Sequence, residues 1–238
     1  MSFRDWLVGT VVSTTHETPN AKSIVLDVPG WHGSTAGQHV DVRLTAPDGY
    51  TAVRAYSLAS TGPGQRVELA VDLIDDGEVS PYLVQELRPV DRLEFRGPLG
   101  RWFVWKPEHT AAVQLIAGGS GVVPLLAMIR AHTASASTAD MRLLYSVRSP
   151  ADRFFAEELA ATHDVEVTLV YTREVPEGWT VAPGRVTRDV LAAQTVPARE
   201  APAVFVCGPT GFVEAVASAL VELGHDPISV KTERFGGS

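Results

Sequence analysis

The chain has 238 residues, 45% of them hydrophobic and 20% charged, with a formal net charge of -8. That length holds one large domain or two ordinary ones around a buried core. The acidic balance, without a basic block, argues against a nucleic-acid partner, and no apolar run is long enough to span a bilayer. Cys207 is the single cysteine. These residues therefore form no internal disulfide, no zinc site built on several thiolates and no four-cysteine iron–sulfur cluster. Histidines at 16, 32, 39, 109, 132, 163 and 225 show no pair at helical ligand spacing, so no metal site is expected. The N-terminal run Met1-Ser2-Phe3-Arg4-Asp5-Trp6 lacks a signal-peptide pattern, and the chain reads as cytoplasmic.

The first half reads as β-rich. Short runs with many β-branched residues predict strands at Trp6–Thr15, Ala21–Val28, His39–Leu44, Thr51–Ala59, Val67–Leu73 and Arg92–Phe95. Pro-Gly, Asp-Gly and Gly-Pro-Gly turns separate them, which suggests a barrel or sandwich. One helix is expected inside this half. Ser80 would be its N-cap, Pro81 its first residue, and Tyr82–Leu87 its continuation. With Gly77-Glu78-Val79 before it, that start offers backbone N–H groups to an anion; an ordinary crossover helix is the alternative.

Lys106-Pro107-Glu108-His109-Thr110 marks a change of pattern and a domain boundary, giving domains 1–106 and 107–238. Beyond it, predicted strands (Ala111–Ala117, Met141–Val147, Val165–Tyr171, Ala203–Cys207, Ile228–Lys231) alternate with helical stretches (Val122–His132, Ala151–Ala161, Val186–Gln194, Gly211–Leu223). That alternation predicts a parallel sheet wound with helices on both faces.

Three stretches carry chemistry. In Arg54-Ala55-Tyr56-Ser57, strand alternation puts Arg54 and Tyr56 on one side and Ser57 on the other. A cation beside a ring suits a cofactor with a phosphate and a flat heterocycle. Gly118-Gly119-Ser120-Gly121-Val122-Val123-Pro124 follows a buried strand and opens a helix, the context of a pyrophosphate loop. It departs from G-x-G-x-x-G in its final proline. Cys207-Gly208-Pro209 ends another strand, and in open α/β sheets ligands bind beyond strand carboxyl ends. That places Cys207 at the same edge as the 118–121 loop; a small core residue is the alternative reading.

In this order, and over nearly the whole chain, these elements resemble the ferredoxin–NADP reductase-like flavoproteins. Arg54-x-Tyr56-Ser57 is similar to that family's Arg-x-Tyr-Ser, and Gly77-x-Val79-Ser80 to its Gly-x-x-Ser. Gly97-Pro98-Leu99-Gly100 is similar to its Gly-Pro-x-Gly turn, 118–124 to its Gly-Gly-x-Gly-x-x-Pro loop, and 207–209 to its Cys-Gly-Pro. The resemblance implies a six-stranded antiparallel flavin barrel followed by a pyridine-nucleotide domain. It implies that Arg54 pairs with flavin phosphate, Tyr56 packs on the isoalloxazine and Ser57 hydrogen-bonds near N5. The Ser80 helix start would receive the pyrophosphate, Cys207 would lie near the nicotinamide, and hydride would pass from nicotinamide to flavin. FAD is favoured over FMN.

NADPH is favoured over NADH because Arg148, Arg173 and Arg185 follow strand ends, where a guanidinium can receive a 2′-phosphate. Their alternatives are surface charges or pairs with Asp152, Glu157 or Glu174. After the last strand, Phe235 is expected to shield the flavin and Glu233 to handle a proton near the nicotinamide. The acceptor would be a separate ferredoxin, flavodoxin or oxygenase, since one cysteine cannot build the cluster of multidomain relatives. The chain would act as a monomer. Arg92, Arg96, Arg101 and Lys106 are read as a basic patch for that partner or as a solvated face. The competing readings are reduction of a small acceptor (free flavin, quinone or metal chelate) and a non-catalytic regulatory subunit.

Overall fold

The computed structural model describes residues 6–135 and 137–236; residues 1–5 of the N-terminal run and the last two residues lie outside them. The chain clusters into two compact units, one of residues up to 106 with 126–131, the other of 107–125 with residues from 132 onward.

In the first unit β1 (Leu7–Thr18), β2 (Ala21–Asp27), β3 (His39–Thr45), β4 (Thr51–Ser57), β5 (Arg66–Asp72) and β6 (Arg92–Leu99) form one antiparallel sheet. Its order is β4-β3-β6-β1-β2-β5. Alternation builds the core: Val40 and Val42 of β3, Val67, Leu69 and Val71 of β5, and Leu93 and Phe95 of β6 all point inward and are buried. The outer strands meet where Leu58 opposes Leu69 and the Ala59 N–H donates to the Glu68 carbonyl at 2.9 Å. The sheet thereby curls onto itself as the expected barrel. Asp48 shapes the β3–β4 hairpin by accepting from the Tyr50 N–H at 3.0 Å, with Gly49 at φ +88° beside it.

The helix expected from Ser80 differs in kind. Tyr82–Glu86 is a π-helical turn with Pro81 at its cap position and no side-chain cap. The Leu87 N–H reaches the Tyr82 carbonyl at 2.9 Å, an i→i−5 bond. Ser80 instead closes the preceding loop, its hydroxyl accepting from the Ile74 N–H at 3.0 Å.

The second unit holds β7 (Val113–Gly118), β8 (Met141–Val147), β9 (Val165–Tyr171), β10 (Ala203–Pro209) and β11 (Val230–Phe235). All pair parallel in the order β11-β10-β7-β8-β9. β7 is buried at every residue, as a central parallel strand must be. Its one polar side chain, Gln114, is satisfied: the amide donates to the Leu115 carbonyl at 3.1 Å and accepts from the Val196 N–H at 2.9 Å. Helices α1 (Val122–Thr133), α2 (Ala156–Ala161), α3 (Arg188–Gln194) and α4 (Thr210–Glu222) connect the strands. β8 lies on one side of β7 and β10 on the other, so the chain reverses direction there and opens a crevice at the strand ends.

Two expectations shift. The helix read over 151–161 is interrupted: Pro150–Asp152 is a 3-10 turn, Phe155 is left-handed at φ 52°, and α2 starts only at Ala156. The Phe154 N–H donates to the Tyr145 hydroxyl at 3.1 Å, and both phenylalanines are buried, which fixes the break. The last strand begins later than expected. Ile228 sits in an exposed turn closed by Ser229 N–H on the Asp226 carbonyl, so Glu233 and Phe235 lie within β11 rather than after it. No helix among the described residues is long and apolar enough to cross a membrane.

Candidate functional site

On the barrel, β4 carries Arg54, Ala55, Tyr56 and Ser57. Ala52 on the same strand is buried, and two residues on Arg54 has the same facing, but it lies beyond the packed interior with its side chain 52% exposed. Tyr56 packs its ring on the core. Burial raises its phenol to about 12, with Arg54 opposing, so the hydroxyl stays a neutral donor. Ser57 is half-buried opposite His39, whose imidazole burial holds below its usual range and so mostly neutral at pH 7.

The Gly77–Ser80 turn lies beside Arg54, since the guanidinium ion-pairs with Glu78 inside it. A side chain at Gly77 would meet Ser80 Oγ at 2.8 Å and the Ile74 carbonyl at 2.9 Å, so the tight turn demands glycine. Val79 is fully buried and leaves only its backbone to a ligand. A fixed cation against a glycine turn, with a neutral phenol two residues along the strand, fits a flavin bearing phosphate.

On the sheet, Cys207 pairs in register with Ala117, which places Cys207-Gly208-Pro209 beside the Gly118–Gly121 loop. The approach is backbone on backbone. A Cβ at Gly121 would lie 2.2 Å from the Cys207 carbonyl oxygen, and Cβ atoms at Gly118 and Gly208 would meet the Phe212 ring at 2.7 and 2.8 Å. Gly119 stands at φ +55° with open space around its Cβ position, and Ser120 is half-buried. Pro124, in the first turn of α1, needs no N–H partner there. Open backbone ahead of a helix start fits a nucleotide pyrophosphate.

The Cys207 side chain is 1% exposed. Burial, and then the Glu233 charge, raise its thiol well above the usual value, so it is a neutral wall group. Glu233 is its register partner across β10 and β11, and Phe235 faces Pro209. Burial lifts the Glu233 carboxyl to about 7. Phe235 is 37% exposed. The shift of β11 thus brings Glu233 to Cys207 by strand pairing, which the sequence reading had not used.

Arg148 and Arg173 end neighbouring strands and are tied by backbone, the Arg173 N–H donating to the Arg148 carbonyl at 2.9 Å. The Gly184 N–H bonds the Tyr171 carbonyl at 2.9 Å, which brings Arg185 back to the same edge. Arg148 pairs with Asp152 at 3.2 Å, one of the alternatives weighed for it. Of the four residues read as a basic patch or a solvated face, Arg96 is engaged by Asp41 at 2.6 Å, Arg92 opens β6, and Arg101 lies beyond its far end at Leu99.

Sequence reasoning missed the pairing of Glu78 with Arg54 and the Tyr50 hydroxyl that donates to Glu78 from a separate loop. It also missed a cavity of about 650 Å³ at one end of the barrel unit, walled by Trp6, Trp31, Pro63 and Pro98. No local motif marks either, because both arise only when distant segments meet.

Two family models match this chain: the oxidoreductase FAD-binding domain over residues 9–104 and the oxidoreductase NAD-binding domain over 115–218. NADH oxidoreductase HCR of Escherichia coli is 34% identical over 213 residues, 88% of this chain; the chain spans 62% of that protein's length. NADH-cytochrome b5 reductase 2 of Rattus norvegicus is 30% identical over 81% of this chain and 80% of its own. The ferredoxin–NAD(P)(+) reductase component of the naphthalene 1,2-dioxygenase system of Pseudomonas putida is 26% identical over 95% of this chain and 68% of its own. Among solved structures, the FAD/NAD-binding domain of nitric oxide dioxygenase from Vibrio cholerae superposes with a TM-score of 0.84 at 26% identity, covering 98% of this chain and all of that one. With a FAD-binding and a NAD-binding domain in that order, this chain belongs to the ferredoxin–NADP reductase-like flavoproteins and is an FAD-containing NAD(P)H oxidoreductase.

Proposed function

We propose that this chain takes electrons from NADPH or NADH and passes them through FAD to a separate redox protein, a ferredoxin, flavodoxin or oxygenase, as a cytoplasmic monomer. The observation that carries the reading is the pair of half-sites, each inside its own matched domain: Arg54 with the Gly77–Ser80 turn on the barrel, and the Gly118–Gly121 loop beside Cys207 on the sheet. When bound, the flavin accepts hydride and releases single electrons, so it supplies the redox chemistry itself. In this reading Arg54 holds phosphate, Tyr56 packs the ring, Ser57 bonds near its reactive edge, and Phe235 covers it. Cys207 walls the nicotinamide with a neutral surface. Glu233, at about 7, can take up or give a proton near neutral pH.

Support for a protein acceptor comes from the P. putida relative, named as a component of a dioxygenase system. The single cysteine of these residues cannot itself hold a four-cysteine cluster. Arg148, Arg173 and Arg185 at one edge favour NADPH, against the NADH in the names of the E. coli and rat relatives. The cavity between Trp6 and Trp31 favours a second reading, reduction of a small planar acceptor such as a quinone.

Anaerobic mixing of the purified yellow protein with NADPH or NADH tests the donor side. Faster bleaching by NADPH gives the three arginines their role; faster bleaching by NADH returns them to the surface. Reoxidation by a ferredoxin, and not by a quinone, supports the protein acceptor, and the reverse pattern selects the second reading.

A further inference from the structure

Arg54 is not an isolated cation. Its Nη1 donates to the Val53 carbonyl at 2.8 Å. Its Nη2 donates to one carboxylate oxygen of Glu78, whose other oxygen accepts from the Tyr50 hydroxyl. The Tyr50 hydrogen bond and the Arg54 charge hold the Glu78 carboxyl below its usual range, so it stays ionised at neutral pH. Three segments meet here: the β3–β4 hairpin, strand β4, and the turn within Gly77–Ser80. Arg54 and Glu78 are 52% and 42% exposed in their side chains, and exposed ion pairs contribute little to folding. Stability therefore gives a weak account of why three side chains converge.

We infer that Glu78 sets the strength of flavin binding by competing with the flavin phosphate for Arg54. The inference rests on the reading of Arg54 as the phosphate cation. A guanidinium binds carboxylate and phosphate with the same planar fork of donors, so both anions seek the same face. Either the carboxylate swings away when phosphate arrives, or it stays and repels it. Both routes weaken binding of any flavin that carries phosphate, and neither touches riboflavin. Tyr50 is a positioning residue, keeping the carboxylate against Arg54.

The test is flavin affinity, read by fluorescence quenching with FAD, FMN and riboflavin, together with the rate of FAD release from the protein as purified. Glu78→Gln should tighten FAD and FMN about fivefold, leave riboflavin unchanged, and slow FAD release in proportion. Glu78→Asp, which keeps the charge, should behave like the parent. In an Arg54→Gln background, Glu78→Gln should tighten FAD much less than in the parent, since only direct repulsion between carboxylate and phosphate remains to be removed. Weaker or unchanged FAD binding in Glu78→Gln overturns the inference, the weaker case making Glu78 a support for Arg54 rather than a rival of phosphate. Tightening that extends equally to riboflavin overturns it too. The underlying reading fails separately: if Arg54→Gln alone holds FAD as well as the parent, Arg54 does not bind phosphate.

Discussion

The two half-sites are built from opposite materials. On the barrel, the proposed recognition is carried by exposed side chains, Arg54 in the middle of β4 and Glu78 in the neighbouring turn, each about half in solvent. On the sheet it is carried by backbone, with Gly118, Gly121 and Gly208 so tightly packed that a single methyl group collides with a carbonyl or a ring. The first arrangement can be altered chemically without disturbing the fold. In the second, site and core are the same atoms, so a change in recognition is also a change in packing.

Substitutions ranked by their effect on folding sharpen that contrast. Gly121→Ala should cost most. Its methyl falls 2.2 Å from the Cys207 carbonyl oxygen, the Gly119–Gly121 turn must move off the end of β10, and the loss should be about 3 kcal/mol or more. A melting temperature lowered by less than two degrees would show the backbone contact to be loose. Glu233→Gln should act next, in the other direction. Burial raises the folded carboxyl to about 7, so the folded protein keeps a proton that the unfolded chain has already released. Stability from this group is full in acid, below the unfolded carboxylate range, and declines as pH rises through about 7. The glutamine variant should gain on the order of 2 kcal/mol at pH 8 and almost nothing at pH 4, as thermal melts at the two pH values would reveal. An equal gain at both would remove titration as the cause.

Cys207→Ala should cost about 1 kcal/mol through lost packing. It should leave flavin bound and slow bleaching by nucleotide; an unchanged bleaching rate reduces Cys207 to packing alone. Arg54→Ala should barely move the melting temperature, by about 0.5 kcal/mol at most, while flavin recovered on purification falls at least tenfold. A large loss of stability with flavin retained would reverse the contrast between the two halves.

The sequence was most legible where one local rule decides the outcome. β8 and β9 are dense in β-branched or apolar residues at fixed length, and their bounds agree with expectation. The glycine loop announced itself by composition, and its neighbour Cys207 by its place at a strand end. Legibility failed where a distant partner overrides a local preference. Thr232-Glu233-Arg234 is too polar to read as strand, yet pairing with β10 makes it one. Phe155 has no intrinsic reason to turn left-handed, but the Tyr145 hydroxyl and a buried ring pair hold the chain there. Ser80-Pro81 is a standard helix opening in isolation, and loop closure onto Ile74 takes the serine away from that task. The Arg54 motif was readable, but its carboxylate rival was not, because Glu78 stands in a motif position that carries no rule.

The barrel's closure has a further consequence. Outside the Leu58–Leu69 bridge and the Ala59–Glu68 bond, the facing edges of β4 and β5 have no ladder between them among the described residues. A strand edge with free N–H and C=O groups is a template for another chain. Arg54 stands on β4, one of those two edge strands, so a flavin anchored there would also serve as a cover. Loss of cofactor would then show itself first as self-association and poor solubility, well before the melting of either unit.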